Sequence, residues 1–281
     1  MAIAITGASG QLGQLTLNAL IGRETGDHIV ALARTPSKIA LEGIEKREFD
    51  YSRIDTLAPA LKGVETLVLI SSSEIGRRVV QHRNVIDAAK ISGVQNIFYT
   101  SVLHADASLL SLADEHRKTE VDLASSGLSF TILRNGWYTE NYVNSVGAAL
   151  KAGAFIGSAA DGRISSAARA DYAAALAVVA TNKGHSGKVY ELAGDNAWTL
   201  SDLAAEISRQ TGKEIPYRNL PEAEYAQALI GAGLPADLAH FIAGCDTAAS
   251  KGALFDDGLQ LSTLIGKPTT SLSESITIAL K

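Results

Sequence analysis

Cysteine is almost absent from this chain: Cys245 is the only one in 281 residues. That excludes an internal disulfide framework and any metal site built from several cysteines, and a lone thiol accords with a reducing compartment. Proline, at 6 residues, is too scarce for a linker protein or a low-complexity one. Long hydrophobic runs are missing as well. The longest, residues 172–180, has nine members where a membrane helix needs about 20. Positive charge is not in excess either. Lys and Arg number 25 against 30 Asp and Glu, a net charge of −5, so nothing global draws the chain to nucleic acid or to an anionic membrane. The opening residues, Met1 to Gly7, have no basic stretch ahead of an apolar one and do not read as a signal peptide. The expectation is a cytoplasmic protein without a metal, without nucleic-acid partners and without membrane insertion. The oligomeric state is left open.

What is present is an ordinary globular mixture, 46% hydrophobic and 20% charged, with glycine plentiful at 25. A chain of this length can bury a core large enough to fold without staples. In the first half two periods alternate. Short apolar runs at 3–6, 29–33, 66–70, 96–100 and 129–133 read as buried parallel strands. Helical stretches lie between them at 11–21, 78–91 and 114–125, and Gly93 and Gly127 fall where two of these should end. Strand and helix alternating at this spacing predict βαβ units, hence a doubly wound parallel sheet of Rossmann type.

After Asn135 the regularity breaks. Residues 155–157 and 162–164 read as strand or loop, 169–181 as a helix, 188–192 as a strand and 200–211 as a helix capped by Thr199 or Ser201 and closed by Gly212. From 217 to 281 the pattern is short helices and turns with no strand. The expected organisation is a parallel-sheet domain from 1–134 with 163–200, and a smaller, mainly helical lobe from 135–162 with 201–281.

The strand at 3–6 runs directly into Gly7-Ala8-Ser9-Gly10-Gln11-Leu12-Gly13, and a helix follows. This G-x-x-G-x-x-G run is a relative of the dinucleotide fingerprint. Gly7 permits a tight turn, Gly10 the approach of a pyrophosphate, and Gly13 close packing of helix on sheet. The helix amino end offers N–H groups and partial positive charge to phosphates. The alternative is a tight βα turn with no ligand. NAD sites place an Asp or Glu about 20 residues beyond the glycines, on the ribose 2′-hydroxyl. Here Arg34 ends the second strand, with Lys38 four residues on. An arginine fork suits a 2′-phosphate that a carboxylate would repel, which favours NADPH; a solvated strand-end arginine is the alternative. Phe49-Asp50-Tyr51 reads as the end of a third strand, where an adenine would lie.

With the glycine loop and Arg34, the segments Leu69-Ile70-Ser71-Ser72-Ser73-Glu74, Gln81-His82-Arg83-Asn84 and Leu133-Arg134-Asn135-Gly136-Trp137-Tyr138-Thr139-Glu140-Asn141-Tyr142 resemble the NmrA-like atypical short-chain dehydrogenases. Tyr190-Glu191-Leu192-Ala193-Gly194-Asp195 narrows the resemblance to the bacterial NADPH-dependent quinone oxidoreductases of the second type, with the triphenylmethane reductases as near relatives. It extends over essentially the whole chain. The resemblance implies that Gly7, Ser9, Gly10, Gln11 and Leu12 bind the pyrophosphate and Arg34 the 2′-phosphate. It implies further that Ser71, Ser72 and Ser73 lie beside the ribose. Gly136, Trp137, Tyr138, Thr139, Glu140 and Asn141 would lie along the nicotinamide, with Arg169 a further polar contact.

Ordinary short-chain dehydrogenases pair a Tyr with a Lys four residues later for proton transfer. This chain has His116-Arg117-Lys118-Thr119-Glu120 in the corresponding helix, and Tyr99 is followed by Leu103. Reactions that need a positioned proton carrier are therefore demoted. A quinone does not need one, since hydride addition to a conjugated carbonyl leaves an anion that water can protonate. The protein must then orient a flat acceptor against the nicotinamide. Trp137, Tyr138 and Tyr142 offer aromatic faces for it, with core packing the expectation for at least one of them. Tyr138, Asn141 and His116 are the candidates for catalytic roles. For His82, His104 and His116 individually a surface or capping role is the expectation; His116 lies where family members keep the tyrosine. The leading reading is an NADPH-dependent quinone oxidoreductase working by direct hydride transfer without flavin. The alternatives are an NAD(P)-binding redox sensor without turnover, or a reductase of another conjugated acceptor such as a triphenylmethane dye.

Overall fold

The computed structural model describes residues 2–281. In chain order the elements begin β1 (Ala2–Ile5), α1 (Gln11–Ile21), β2 (His28–Ala33), β3 (Glu45–Glu48), α2 (Ile54–Ala60), β4 (Thr66–Leu69) and α3 (Arg78–Ile91). They continue through β5 (Asn96–Val102), α4 (Ala113–Ser125), β6 (Ser129–Asn135), α5 (Glu140–Val143), α6 (Val146–Ala152), β7 (Phe155–Gly157) and α7 (Arg169–Thr181). The last are β8 (Val189–Leu192), α8 (Leu200–Thr211), β9 (Tyr217–Asn219), α9 (Glu222–Gly231), α10 (Ala236–Ser250), α11 (Gln260–Ile265) and α12 (Leu272–Ala279). Among the described residues no helix is long and apolar enough to cross a membrane.

The chain divides into two compact units, 1–106 with 112–135 and 169–192, and 107–111 with 136–168 and 193–281. The first is a seven-stranded, all-parallel sheet in the order β3-β2-β1-β4-β5-β6-β8. This is the doubly wound Rossmann arrangement predicted from the alternating periods, and every predicted strand of this sheet except the third lies within two residues of its expected bounds. The central strands are buried on both faces, which is why they read as continuous apolar runs: all of β4 is buried. On one face α2, α3 and α4 enclose a core that includes Leu57, Leu61, Leu67, Leu69, Val85, Ile86, Ile97, Tyr99 and Leu123. Each such side chain contributes about 1.5–3 kcal/mol of transfer free energy. On the other face α1 packs against α7, and α7 against β4 and β5. Leu12, Thr16, Leu17 and Leu20 make the buried stripe of α1 at helical spacing.

The second unit is mainly helical, with a two-stranded parallel sheet of β7 and β9. Strand β9 corrects the expectation of no strand beyond residue 217. At three residues it is too short to show a period of two, and its pairing with Phe155, Ile156 and Gly157 is a long-range property. Thr199, not Ser201, caps α8 through a reciprocal capping box with Asp202, and Gly212 ends it with φ +68°. The third strand ends at Glu48 rather than at Tyr51, although Phe49 still donates its N–H to Ala33 O at 3.0 Å.

Candidate dinucleotide site

The carboxyl end of β1 turns at Gly7, whose φ of +60° is costly for any residue with a Cβ. Gly10 N–H closes the turn on Gly7 O at 2.9 Å, and Ala8 N–H reaches Leu32 O at 3.0 Å. A Cβ on Gly13 would lie 2.3 Å from Gly7 O and 2.8 Å from Ala8 Cα, so only glycine lets α1 start this close to the strand. No side chain caps α1 and its first turn holds no acidic residue. Its leading N–H groups therefore take no acceptor from a capping side chain, an arrangement that suits an anion at a helix amino end. Ser9, Gln11 and Leu12 belong to this loop and first turn, and Gln14 Nε2 braces it by donating to Ser9 O at 2.9 Å.

Arg34 follows β2 with a side chain 64% exposed, and its NH1 donates to Glu74 Oε1 at 2.9 Å. Glu74 Oε2 accepts in turn from Arg77 at 3.0 Å and from Gln81 at 2.9 Å. A cation therefore does stand where the sequence placed it, shared with a carboxylate 40 residues away in sequence.

The turn after β4 is held from several sides. Ser71 N–H donates to Thr100 Oγ1 at 2.8 Å, Ser72 N–H to His82 Nε2 at 2.9 Å, and Glu74 N–H to Ser72 Oγ at 3.1 Å; Arg78 Nε donates to Ser72 O at 2.6 Å. Beneath the switch between β1 and β4 the Tyr51 hydroxyl binds Thr6 Oγ1 and donates to Ile70 O at 2.7 Å. Tyr51 is thus tied to both strand ends.

His82 and His116 are buried, which corrects the expectation of surface or capping roles. His116 Nδ1 is 2.7 Å from the Tyr99 hydroxyl, itself inaccessible to solvent. Burial pushes the His82 pKa down to about 3 and holds His116 well below the usual histidine range, with Arg78 adding to both effects. Both rings are neutral near pH 7. A neutral, buried imidazole bonded to a buried phenol is a poor proton donor to a substrate. Arg134, which ends in the same layer, is held by Glu120 at 2.8 Å and Glu191 at 2.7 Å.

In the second unit residues 136–141 form the loop that enters α5. Thr139 N–H donates to Ala167 O at 3.0 Å and Ala167 N–H to Trp137 O at 3.1 Å, while Thr139 Oγ1 and Ser166 Oγ are 2.7 Å apart. Trp137, Tyr138 and Glu140 are half-buried and Asn141 is exposed. Tyr142 is buried edge-on against Trp198, ring centroids 5.2 Å apart, so it is the aromatic that serves packing. The structure brings the glycine loop, Arg34 and the serine turn to one edge of the first unit's sheet, with Arg169 opening α7 in the same unit. Sequence reasoning missed His82 and Thr100 as braces of the serine turn, and Asn135 at the end of β6.

A parallel sheet with a glycine cradle at its switch point and a cation after the second strand defines a Rossmann-type dinucleotide-binding protein. The chain belongs to the NAD(P)H-binding family, whose model matches residues 7–183. Quinone oxidoreductase 2 of Escherichia coli is 57% identical over 277 residues, 98% of this chain and 97% of that one. The crystal structure of the E. coli NADPH-dependent quinone oxidoreductase complexed with NADPH has a TM-score of 0.96 at 56% identity, covering 99% of this chain and 100% of that one. Triphenylmethane reductase of Citrobacter sp., complexed with NADP(H), has a TM-score of 0.95 at 34% identity, covering 99% of each chain.

Proposed function

We propose that this protein is an NADPH-dependent quinone oxidoreductase. The observation that carries the reading is the 57% identity to quinone oxidoreductase 2 across 98% of the chain, and the geometry of the first unit agrees with it. The residues present fit NADPH. The uncapped start of α1 and the Gly7–Gly10–Gly13 cradle suit a pyrophosphate, Ser9, Gln11 and Leu12 line it, and Arg34 meets the 2′-phosphate. Bound NADPH supplies the hydride. The chain's own contribution is to hold and orient: the serine turn is braced for the ribose, and residues 136–141 with Arg169 serve the nicotinamide end. Tyr138 and Asn141 are the proposed contacts to the acceptor, and His116 is set aside because its ring is neutral and already bonded to the buried Tyr99 hydroxyl.

No Tyr–Lys pair stands in this site. The buried Tyr99 has a hydroxyl committed to His116 and a pKa raised by burial. Proton delivery to a reduced quinone therefore falls to solvent, which suits an acceptor whose reduced anion is weakly basic. The cytoplasm, with its soluble nucleotide pool, is the proposed location. The likeness to triphenylmethane reductase supports a wider range of flat conjugated acceptors, cationic dyes among them.

The test mixes purified protein with NADPH and 1,4-benzoquinone and follows the nicotinamide absorbance, then repeats with NADH and with a triphenylmethane dye. Rapid NADPH oxidation by the quinone, slower with NADH, is the expected result. Tight NADPH binding without turnover on any acceptor would establish a sensor instead.

A further inference from the structure

Asn135 closes β6 and is 3% exposed. Its carbonyl accepts from Leu103 N–H at 2.9 Å, but neither Oδ1 nor Nδ2 of its side chain has a hydrogen-bond partner. A primary amide brings two donors and an acceptor, and burying all of them unpaired is strongly unfavourable. Where this amide lies suggests what would satisfy it.

Side chains on a strand alternate between faces. Arg134, the preceding residue, points to the α4 face, where it binds Glu120. The Asn135 amide accordingly stands on the opposite face, the one covered by α1 and α7. That is the face on which the glycine loop launches its helix. Along the carboxyl edge the strand order is β2, β1, β4, β5, β6. Arg34 follows β2, the glycine loop follows β1, the serine turn follows β4, and Asn135 ends β6. A dinucleotide with its 2′-phosphate over β2 and its pyrophosphate over β1 must run its other half over β4 toward β6.

We infer that the Asn135 side chain binds the carboxamide of the nicotinamide ring, donor to acceptor and acceptor to donor, and so positions the ring. This rests on the reading of the carboxyl edge as the NADPH site. A quinone carbonyl is a poorer match, because it only accepts and would leave Oδ1 unsatisfied. The carboxamide offers both a donor and an acceptor, as this buried amide requires.

The experiment uses the full chain with Asn135→Leu and Asn135→Ala. It measures the melting temperature of the protein without nucleotide, and the affinities for NADPH and for 2′-phospho-ADP-ribose, which lacks the nicotinamide. In Asn135→Leu the unpaired amide is gone, so the nucleotide-free protein melts about 2–4 °C higher. Both variants bind NADPH about 10-fold more weakly, two neutral hydrogen bonds having been lost. Affinity for 2′-phospho-ADP-ribose stays at the native value. Unchanged NADPH affinity in either variant overturns the inference, as does an equal loss for both ligands. If the native protein binds neither ligand, the reading of the edge as a cofactor site fails, a result distinct from loss of the carboxamide contact alone.

Discussion

His82 Nε2 accepts the Ser72 backbone N–H at 2.9 Å, so the proton of this neutral ring resides on Nδ1, which donates to Thr119 Oγ1 at 2.9 Å. A histidine on α3 is thereby a fixed strut between the serine turn and α4. His82→Leu leaves the Ser72 N–H without its partner, at a cost of about 1–3 kcal/mol. KM for NADPH is expected to rise about 10-fold with a smaller change in kcat. His82→Gln, which can still present an acceptor, should recover part of the loss. Equal KM values in native and Leu proteins would refute the strut.

The same burial makes stability acid-sensitive. Unfolded, His82 takes up a proton below about pH 6.5; folded, it resists until about pH 3. The unfolded state therefore binds more protons between those values, and stability falls as pH drops through that window. The melting temperature of the native protein is expected to decline more steeply from pH 6.5 to pH 4 than that of His82→Leu. Parallel curves would contradict this.

Arg34 and Glu74 make an exposed pair, worth about 1 kcal/mol or less, and Glu74 competes with an incoming phosphate for the same guanidinium. Glu74→Gln is expected to tighten NADPH by up to about 5-fold at low salt, and less at high salt. Arg34→Glu reverses the charge and should lower kcat/KM for NADPH by about 100-fold while leaving NADH nearly unaffected. Steady-state kinetics with both nucleotides decides this; an unchanged NADPH to NADH ratio in Arg34→Glu would remove Arg34 from the site.

Two glycines of opposite character offer a fourth test. A methyl on Gly13 meets backbone atoms of Gly7 and Ala8 that cannot move without reshaping the cradle, so Gly13→Ala is expected to cost about 1–3 kcal/mol and to abolish nucleotide binding. Gly147, exposed on α6, has a negative φ and open space where a methyl group would stand, with no atom within 4 Å. Gly147→Ala should gain about 0.4–1 kcal/mol by restricting the unfolded chain. Thermal melts of both variants should move in opposite directions.

The parallel sheet and the glycine loop were legible because both are local: an apolar run, a turn that only glycine makes, and a helix that follows at once. Arg34 was legible for the same reason, standing directly after its strand. Its partner Glu74 was not, because the sheet order brings β4 beside β1 and so joins residues 40 apart. His82 looked like part of a charged helix, and only the packing of α3 against α4 turned it inward. Asn135 was read as part of a motif string. What distinguishes it, an amide buried without partners, is a property of packing that no spacing of residues encodes. In the second unit β7 was legible only as strand or loop, and the three-residue β9 carries no periodic signal.

Asp246 is a further group that only packing could reveal. It lies on α10, 3% exposed, and its Oδ2 accepts from Ser158 N–H at 2.9 Å. Burial raises its pKa to about 6, the hydrogen bond offsetting only part of the desolvation. The folded state thus holds this proton at pH values where the unfolded chain, with a carboxyl near pH 4, has released it. In that window the folded state binds more protons, so the contribution of Asp246 to stability falls as pH rises from about 4 to 6, and the full penalty applies above. At pH 7.5 that penalty is of order 2–3 kcal/mol. Asp246→Asn keeps an oxygen for the Ser158 N–H and removes the charge. The variant is expected to melt several degrees above the native protein at pH 7.5, and to lose most of that advantage at pH 4.5. A constant difference across this range would show that the Asp246 carboxyl is ionised in the folded protein throughout, and that the buried charge is satisfied by its surroundings.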